Sequence, residues 1–73
     1  MGINPQTNLH NQKLIIQTLF ENNHSMTILH LKQITKLANL YFFKALEELK
    51  IQNMIIEEKK ERKTWIRLLD EGN

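Results

Sequence analysis

Residues 44–69 run KALEELKIQNMIIEEKKERKTWIRLL, and this stretch restricts the fold more than any other part of the chain. Its opening continues a helical pattern. Phe42, Ala45, Leu46 and Leu49 recur at spacings of three and four, which puts them on one face of a helix. The period then changes. Residues 54–59 and 64–69 read as strands, with Met54 and Ile56 sharing one face of the first and Ile66 and Leu68 one face of the second. Asn53 stands at the change, and asparagine tolerates the left-handed backbone that closes many helices. The predicted local structure is a helix over about 40–52 running straight into a β-hairpin. The residues at its tip, 60–63, include no Gly or Pro, so the pattern assigns no turn type.

At 73 residues there is room for one small core. A domain of this size buries only about 60% of the surface its unfolded chain exposes. The chain has no cysteine, so neither a disulfide nor a thiolate metal site supplements that core. Self-association would bury more apolar surface, and a homodimer is expected on that ground. No apolar run approaches the ~20 residues that cross a membrane, and no basic region precedes an apolar stretch. No membrane association is expected, and a cytoplasmic location is.

Upstream, residues 1–7 carry Gly and Pro without periodicity and read as a lead-in to a domain over 8–70, with 71–73 as a tail. Asn4 or Thr7 is suited to cap the first helix. That helix, about 8–21, has two adjoining apolar faces, Ile15 with Leu19 and Leu9 with Ile16 and Phe20. The second face is spare, and Leu9, Ile16 and Phe20 are the candidate dimer contact. Asn22, Asn23, His24 and Ser25 signal a turn, and Met26–Ile28 suits a short third strand. A second helix over about 29–37 has Leu31, Ile34 and Leu37 on one face. Asn39 is suited to cap the third helix. The expected order is helix, short strand, helix, helix, strand, strand: mainly α with a small β-hairpin wing.

That order, together with ALEELKIQNMI (45–55), RLLDEG (67–72) and MTILHLKQITKL (26–37), resembles the winged helix-turn-helix superfamily of transcription regulators (the MarR, ArsR and PadR-like groups). The resemblance covers about residues 13–72. It implies a third helix that enters the DNA major groove and a wing that touches phosphates. On that reading Asn39, Leu40, Tyr41, Phe43, Lys44 and Glu47 face the groove. Two features depart from the pattern. Lys36 and Ala38 stand where the family's turn carries Gly and then a Ser or Thr cap, which implies a turn shifted by a residue or two with Asn39 as cap. The groove-facing set is richer in aromatic and acidic residues than in the small polar and Arg residues that are commoner there.

The net charge of +2 is small, so distribution matters more than sum. Lys32 and Lys36 on the second helix, and Lys59, Lys60, Arg62, Lys63 and Arg67 in the wing, are the candidate phosphate contacts. Lys and Glu at a hairpin tip also serve to block edge-to-edge aggregation. Glu57, Glu58 and Glu61 lie among these cations and weaken their field. Trp65 falls on the strand face opposite Ile66 and Leu68, where it either covers the outer face beside Arg67 or packs on Ile55. His10, His24 and His30 lie in separate elements, so no metal site is expected. No nucleophile–base constellation or Gly-rich phosphate loop is visible, and neither catalysis nor a cofactor is expected. Sequence-specific binding of double-stranded DNA by a repressor-like regulator is the leading expectation. A winged helix used as a protein-interaction module is the alternative, suggested by Tyr41, Phe42 and Phe43 together with Glu47 and Glu48.

Overall fold

The computed structural model describes residues 4–69; residues 1–3 of the expected lead-in and the expected tail at 71–73 lie outside the described residues. The elements in chain order are α1 (Pro5–Glu21), β1 (Ser25–Thr27), α2 (Ile28–Thr35), α3 (Asn39–Ile51), β2 (Ile55–Lys60) and β3 (Lys63–Leu68). The strands form one antiparallel sheet in the order β1-β3-β2. This is the winged helix-turn-helix layout expected from the sequence, with β1 as the short third strand. No helix among the described residues is long and apolar enough to cross a membrane.

Helix α1 starts earlier than expected, so residues 5–7 are helical. Asn4, not Thr7, is the cap: its Oδ1 accepts from the Gln6 N–H at 2.8 Å and the Thr7 N–H at 3.4 Å. Pro5 takes the first helical position, where its missing N–H loses nothing. The buried face of α1 is apolar at Ile15 and Leu19 but polar at Asn8, Asn11, Gln12 and Thr18. Gln12 Nε2 donates to Asn8 Oδ1, and Gln52 Nε2, just past α3, donates to Gln12 Oε1 at 3.3 Å. Amides rather than packed apolar groups therefore join the start of α1 to the end of α3. Asn8 Nδ2 is buried with no hydrogen-bond partner among the described residues.

Each break between elements has a local cause. After α1 the backbone turns left-handed at Asn23 and His24, and the His24 N–H donates to the Leu19 carbonyl at 2.7 Å. Thr27 caps α2 by accepting from the His30 N–H at 3.3 Å. Helix α2 ends sooner than expected, at Thr35. Its buried residues are Leu31 and Thr35, while Ile34 is exposed. Ile28, Leu31 and Thr35 define the inward face at helical spacing, and Ile34 lies off it.

The turn into α3 corrects two expectations. Lys36 adopts the left-handed conformation (φ 58°) that the resemblance gives to Gly, so the turn is not shifted. Two residues later Ala38 is the cap position, with no side-chain hydrogen bond, and Asn39 is already helical. Asn39 therefore does not cap α3: the left-handed residue ends α2 early enough for the new helix to start ahead of its side chain. The far end of α3 follows the expectation. Asn53 has φ 60°, its N–H donates to the Lys50 carbonyl, and the Met54 N–H donates to the Leu49 carbonyl, both at 3.0 Å. This pair of bonds is the Schellman closure.

In the wing, β2 pairs with β3 from Ile55↔Leu68 to Lys60↔Lys63. Glu61 and Arg62 form a two-residue loop, both at positive φ (53° and 66°), as a type I′ turn requires. The register also corrects the face assignment on β2. Because β2 starts at Ile55, just after the turn that holds Met54, Ile55 points into the core and Ile56 points out. Ile56, Glu58, Lys60, Lys63, Trp65 and Arg67 share the outer face, so Trp65 lies away from Ile55. The core is Ile15, Leu19, Met26, Leu31, Phe42, Ala45, Leu46, Leu49, Ile55 and Ile66, with every helix and strand contributing.

Candidate nucleic-acid interface

Helix α3 positions its outward residues by what it buries. Phe42, Ala45, Leu46 and Leu49 take the core face, so the residues between them must face away from it. Asn39, Leu40, Tyr41, Phe43, Lys44 and Glu47 are all exposed. Leu40 retains 68% of its surface, Phe43 49% and Tyr41 41%. Phe43 touches Phe42 edge-on with ring centroids 5.2 Å apart, yet stays outside the core. Asn39, Leu40, Phe43, Lys44 and Glu47 line one shallow depression along the helix. Lys44 Nζ lies 3.9 Å from Glu47 Oε1, which draws this cation back along its own helix.

The wing's charges sort into engaged and unengaged groups. Glu57 pairs with Lys50 at the end of α3. Glu58 accepts from Arg67 Nε and Nη2, both at 3.3 Å, across the β2–β3 pair. This hydrogen bonding, opposed by desolvation and aided by the nearby charges of Arg67 and Lys60, holds the Glu58 carboxyl below the usual carboxylate range. Lys60 lies 3.9 Å from Glu58 and 5.9 Å from the Trp65 ring centroid, within cation–π range. Trp65 is half-buried, with its Nε1 unpartnered among the described residues. Lys59, Arg62 and Lys63 pair with no carboxylate among the described residues. The tip itself is net positive, because Lys59, Lys60, Arg62 and Lys63 stand there against Glu61, while Glu57 lies against Lys50 and Glu58 against Arg67 and Lys60.

On the other side of α3 in the chain, Lys36 is exposed in the α2–α3 turn and Lys32 is half-buried in the last turn of α2. Neither pairs with a carboxylate among the described residues. Of the expected dimer contacts, Leu9 (50%) and Phe20 (64%) are exposed, whereas Ile16 packs against the core. Phe20 lies against the His24 ring, with centroids 5.1 Å apart. No group of three or more metal-ligating side chains occurs among the described residues.

Two features escaped the sequence reading. Ile51, in the last turn of α3, is exposed and extends the apolar outward face; its position one turn past Glu47 on the helix carries that signal. The pairing of Glu57 and Glu58 with Lys50 and Arg67 depends on sheet register, which no local pattern reports. No known protein family, curated protein or solved structure matches the chain.

Proposed function

We propose that this chain is a sequence-specific double-stranded DNA-binding protein, a repressor-like transcription regulator of the winged-helix type. In this reading α3 lies in the major groove and the cations of α2 and the wing hold phosphates. One observation carries it: an exposed helix face lies in the chain between two sets of cations that pair with no carboxylate among the described residues, Lys32 and Lys36 before it and Lys59, Arg62 and Lys63 in the wing. A helix about 10–12 Å across suits a major groove about 12 Å wide. Phosphate contacts fix register and orientation, and the helix reads base edges.

The chain acts as a homodimer through α1, where Leu9 and Phe20 supply exposed apolar surface. If each protomer makes about three or four phosphate contacts, log affinity falls with log salt at a slope of about −6. Titration of duplex DNA at several salt concentrations tests this, and the absence of salt-sensitive binding rejects it. Sedimentation as a monomer at micromolar concentration rejects the dimer alone.

One observation favours a second reading. The apolar stripe of Leu40, Tyr41 and Phe43 also suits a protein partner, which makes the chain an accessory subunit or an antagonist of another protein. Recovery of a single stoichiometric partner, lost in Phe43→Asp, would support that reading over DNA.

A further inference from the structure

We propose that α3 selects thymine, through its 5-methyl group, as the feature it reads in the major groove. The inference rests on the DNA-binding reading and names the substrate class of the same surface. Its basis is the chemistry of the outward face. Leu40 and Phe43 are exposed and line one depression along it, and neither has a hydrogen-bonding atom beyond the backbone. Of the polar members, Tyr41 is exposed but does not line the depression that holds Leu40 and Phe43, Asn39 is at the first position of the helix, and Lys44 and Glu47 lie 3.9 Å from each other.

The major groove presents donors and acceptors at every base pair but only one apolar group, the thymine methyl. An apolar helix face therefore meets a complementary surface only over A·T pairs. Over G·C pairs the same side chains strip water from the guanine acceptors and the cytosine amine and return no hydrogen bond. The face thus favours thymine and disfavours G·C by one arrangement. The cations of α2 and the wing tip that pair with no carboxylate among the described residues supply the charge complementarity that identifies the occupant as a polyanion. Glu47 rejects close phosphates, which keeps the centre of the face on the bases and leaves the backbone to the flanking cations.

Removing the methyl groups tests this without altering a single base-pairing atom. The probes are an alternating dA-dT duplex and its dA-dU counterpart, and a mixed-sequence duplex with and without 5-methylcytosine at its cytosines. A buried methyl is worth about fourfold in affinity, so two methyls give about 15-fold. We expect dA-dT to bind about 15-fold more tightly than dA-dU, and cytosine methylation to strengthen binding of the mixed duplex. In the Leu40→Ser, Phe43→Ser double variant both differences shrink toward one, at unchanged far-UV circular dichroism. Equal affinity for dA-dT and dA-dU overturns the thymine reading while leaving DNA binding intact. A thymine preference that survives the double variant overturns the role of these two residues. Failure to bind any duplex in a salt-sensitive manner overturns both this inference and the DNA-binding function on which it rests.

Discussion

Helix α3 and the wing tip differ in both what they present and what holds them. The helix is anchored by side chains that are fully or almost fully buried, Phe42, Ala45, Leu46 and Leu49, and it presents an apolar surface outward. The wing sends Ile55 and Ile66 into the same core, but its distal half is held by the backbone ladder out to Lys60↔Lys63, and it presents charge. Packing fixes a helix to within a side chain's rotamer, which suits a surface that must meet base edges. A hairpin tip held by its backbone ladder and exposed side-chain contacts rather than by core packing tolerates adjustment, which suits contacts to a uniform backbone. The difference divides the labour of the proposed function: the rigid element discriminates and the adaptable element attracts.

The sharpest way to break that contrast uses two adjacent rings. Phe42→Ala removes the largest of the fully buried side chains and should cost about 3–5 kcal/mol, a large share of what a domain this small possesses. Phe43→Ala, one residue along, should cost only about 1 kcal/mol, the worth of its edge-on contact with Phe42. Urea denaturation of both variants measures the difference. Similar losses would mean that the outward face is structural, and that α3 has no free surface to offer.

The second test moves to the wing. Lys59→Ala, Arg62→Ala and Lys63→Ala together should lower affinity for every duplex alike, by roughly a hundredfold or more at low salt, and flatten the log–log salt slope by about 2 per protomer. Thermal stability should barely move, because none of these three side chains is buried or paired among the described residues. A change in sequence preference instead would show the tip reading bases, and the division between helix and wing would fall.

The same contrast explains what the sequence did and did not disclose. The α3 face was legible because a helix period is local: once Phe42, Ala45, Leu46 and Leu49 are assigned inward, the outward set follows. Asn53 was legible because its side chain suits the left-handed closure it makes. The wing was less so. Ile55 rather than Ile56 enters the core because strand parity is set by where the preceding turn releases the chain. The turn itself carries no signal, since Glu61 and Arg62 are ordinary residues held at positive φ by the ladder on either side. Lys36 likewise takes a left-handed position without a residue type that announces it. The start of α1 misled the pattern because its buried face is polar at Asn8, Asn11 and Gln12, with Asn8 and Gln12 joined by an amide bond, which a hydrophobic period does not register. In the site, the positions were legible and the charge balance was not, because Glu57 and Glu58 find partners only through the folded register.

The turn offers a third, smaller test. Two non-glycine residues at positive φ each carry a steric cost of roughly 1–2 kcal/mol, part of which Asn and Gly relieve. Glu61→Asn with Arg62→Gly should stabilise the protein by about 1 kcal/mol in thermal or urea unfolding. Arg62 is also one of the proposed phosphate contacts, so the salt slope should flatten by about one unit per protomer even though the wing's net charge is unchanged. A loss of stability would show that the loop is not the I′ turn its dihedral angles describe.

The smallest expected effect lies at Glu58. Its carboxyl is held below the usual range by its bonds to Arg67, so the folded chain binds that proton less tightly than the unfolded chain does. The stabilisation is fully present above the unfolded carboxylate value of about 4.3 and is lost as the pH falls through the lower folded value. Glu58→Gln should therefore unfold more easily than the parent near neutral pH, with the gap closing in acid. In binding, the same change adds a positive charge to the wing and loosens Arg67. Affinity for all duplexes should then rise by roughly twofold to threefold, with the salt slope steeper by about one unit. The two readouts move in opposite directions, which separates a pair that stabilises the hairpin from one that merely sits on it. A uniform gain across sequences keeps the wing as the element that attracts without discriminating, whereas a gain confined to one sequence would transfer part of the reading from α3 to the outer face of the sheet.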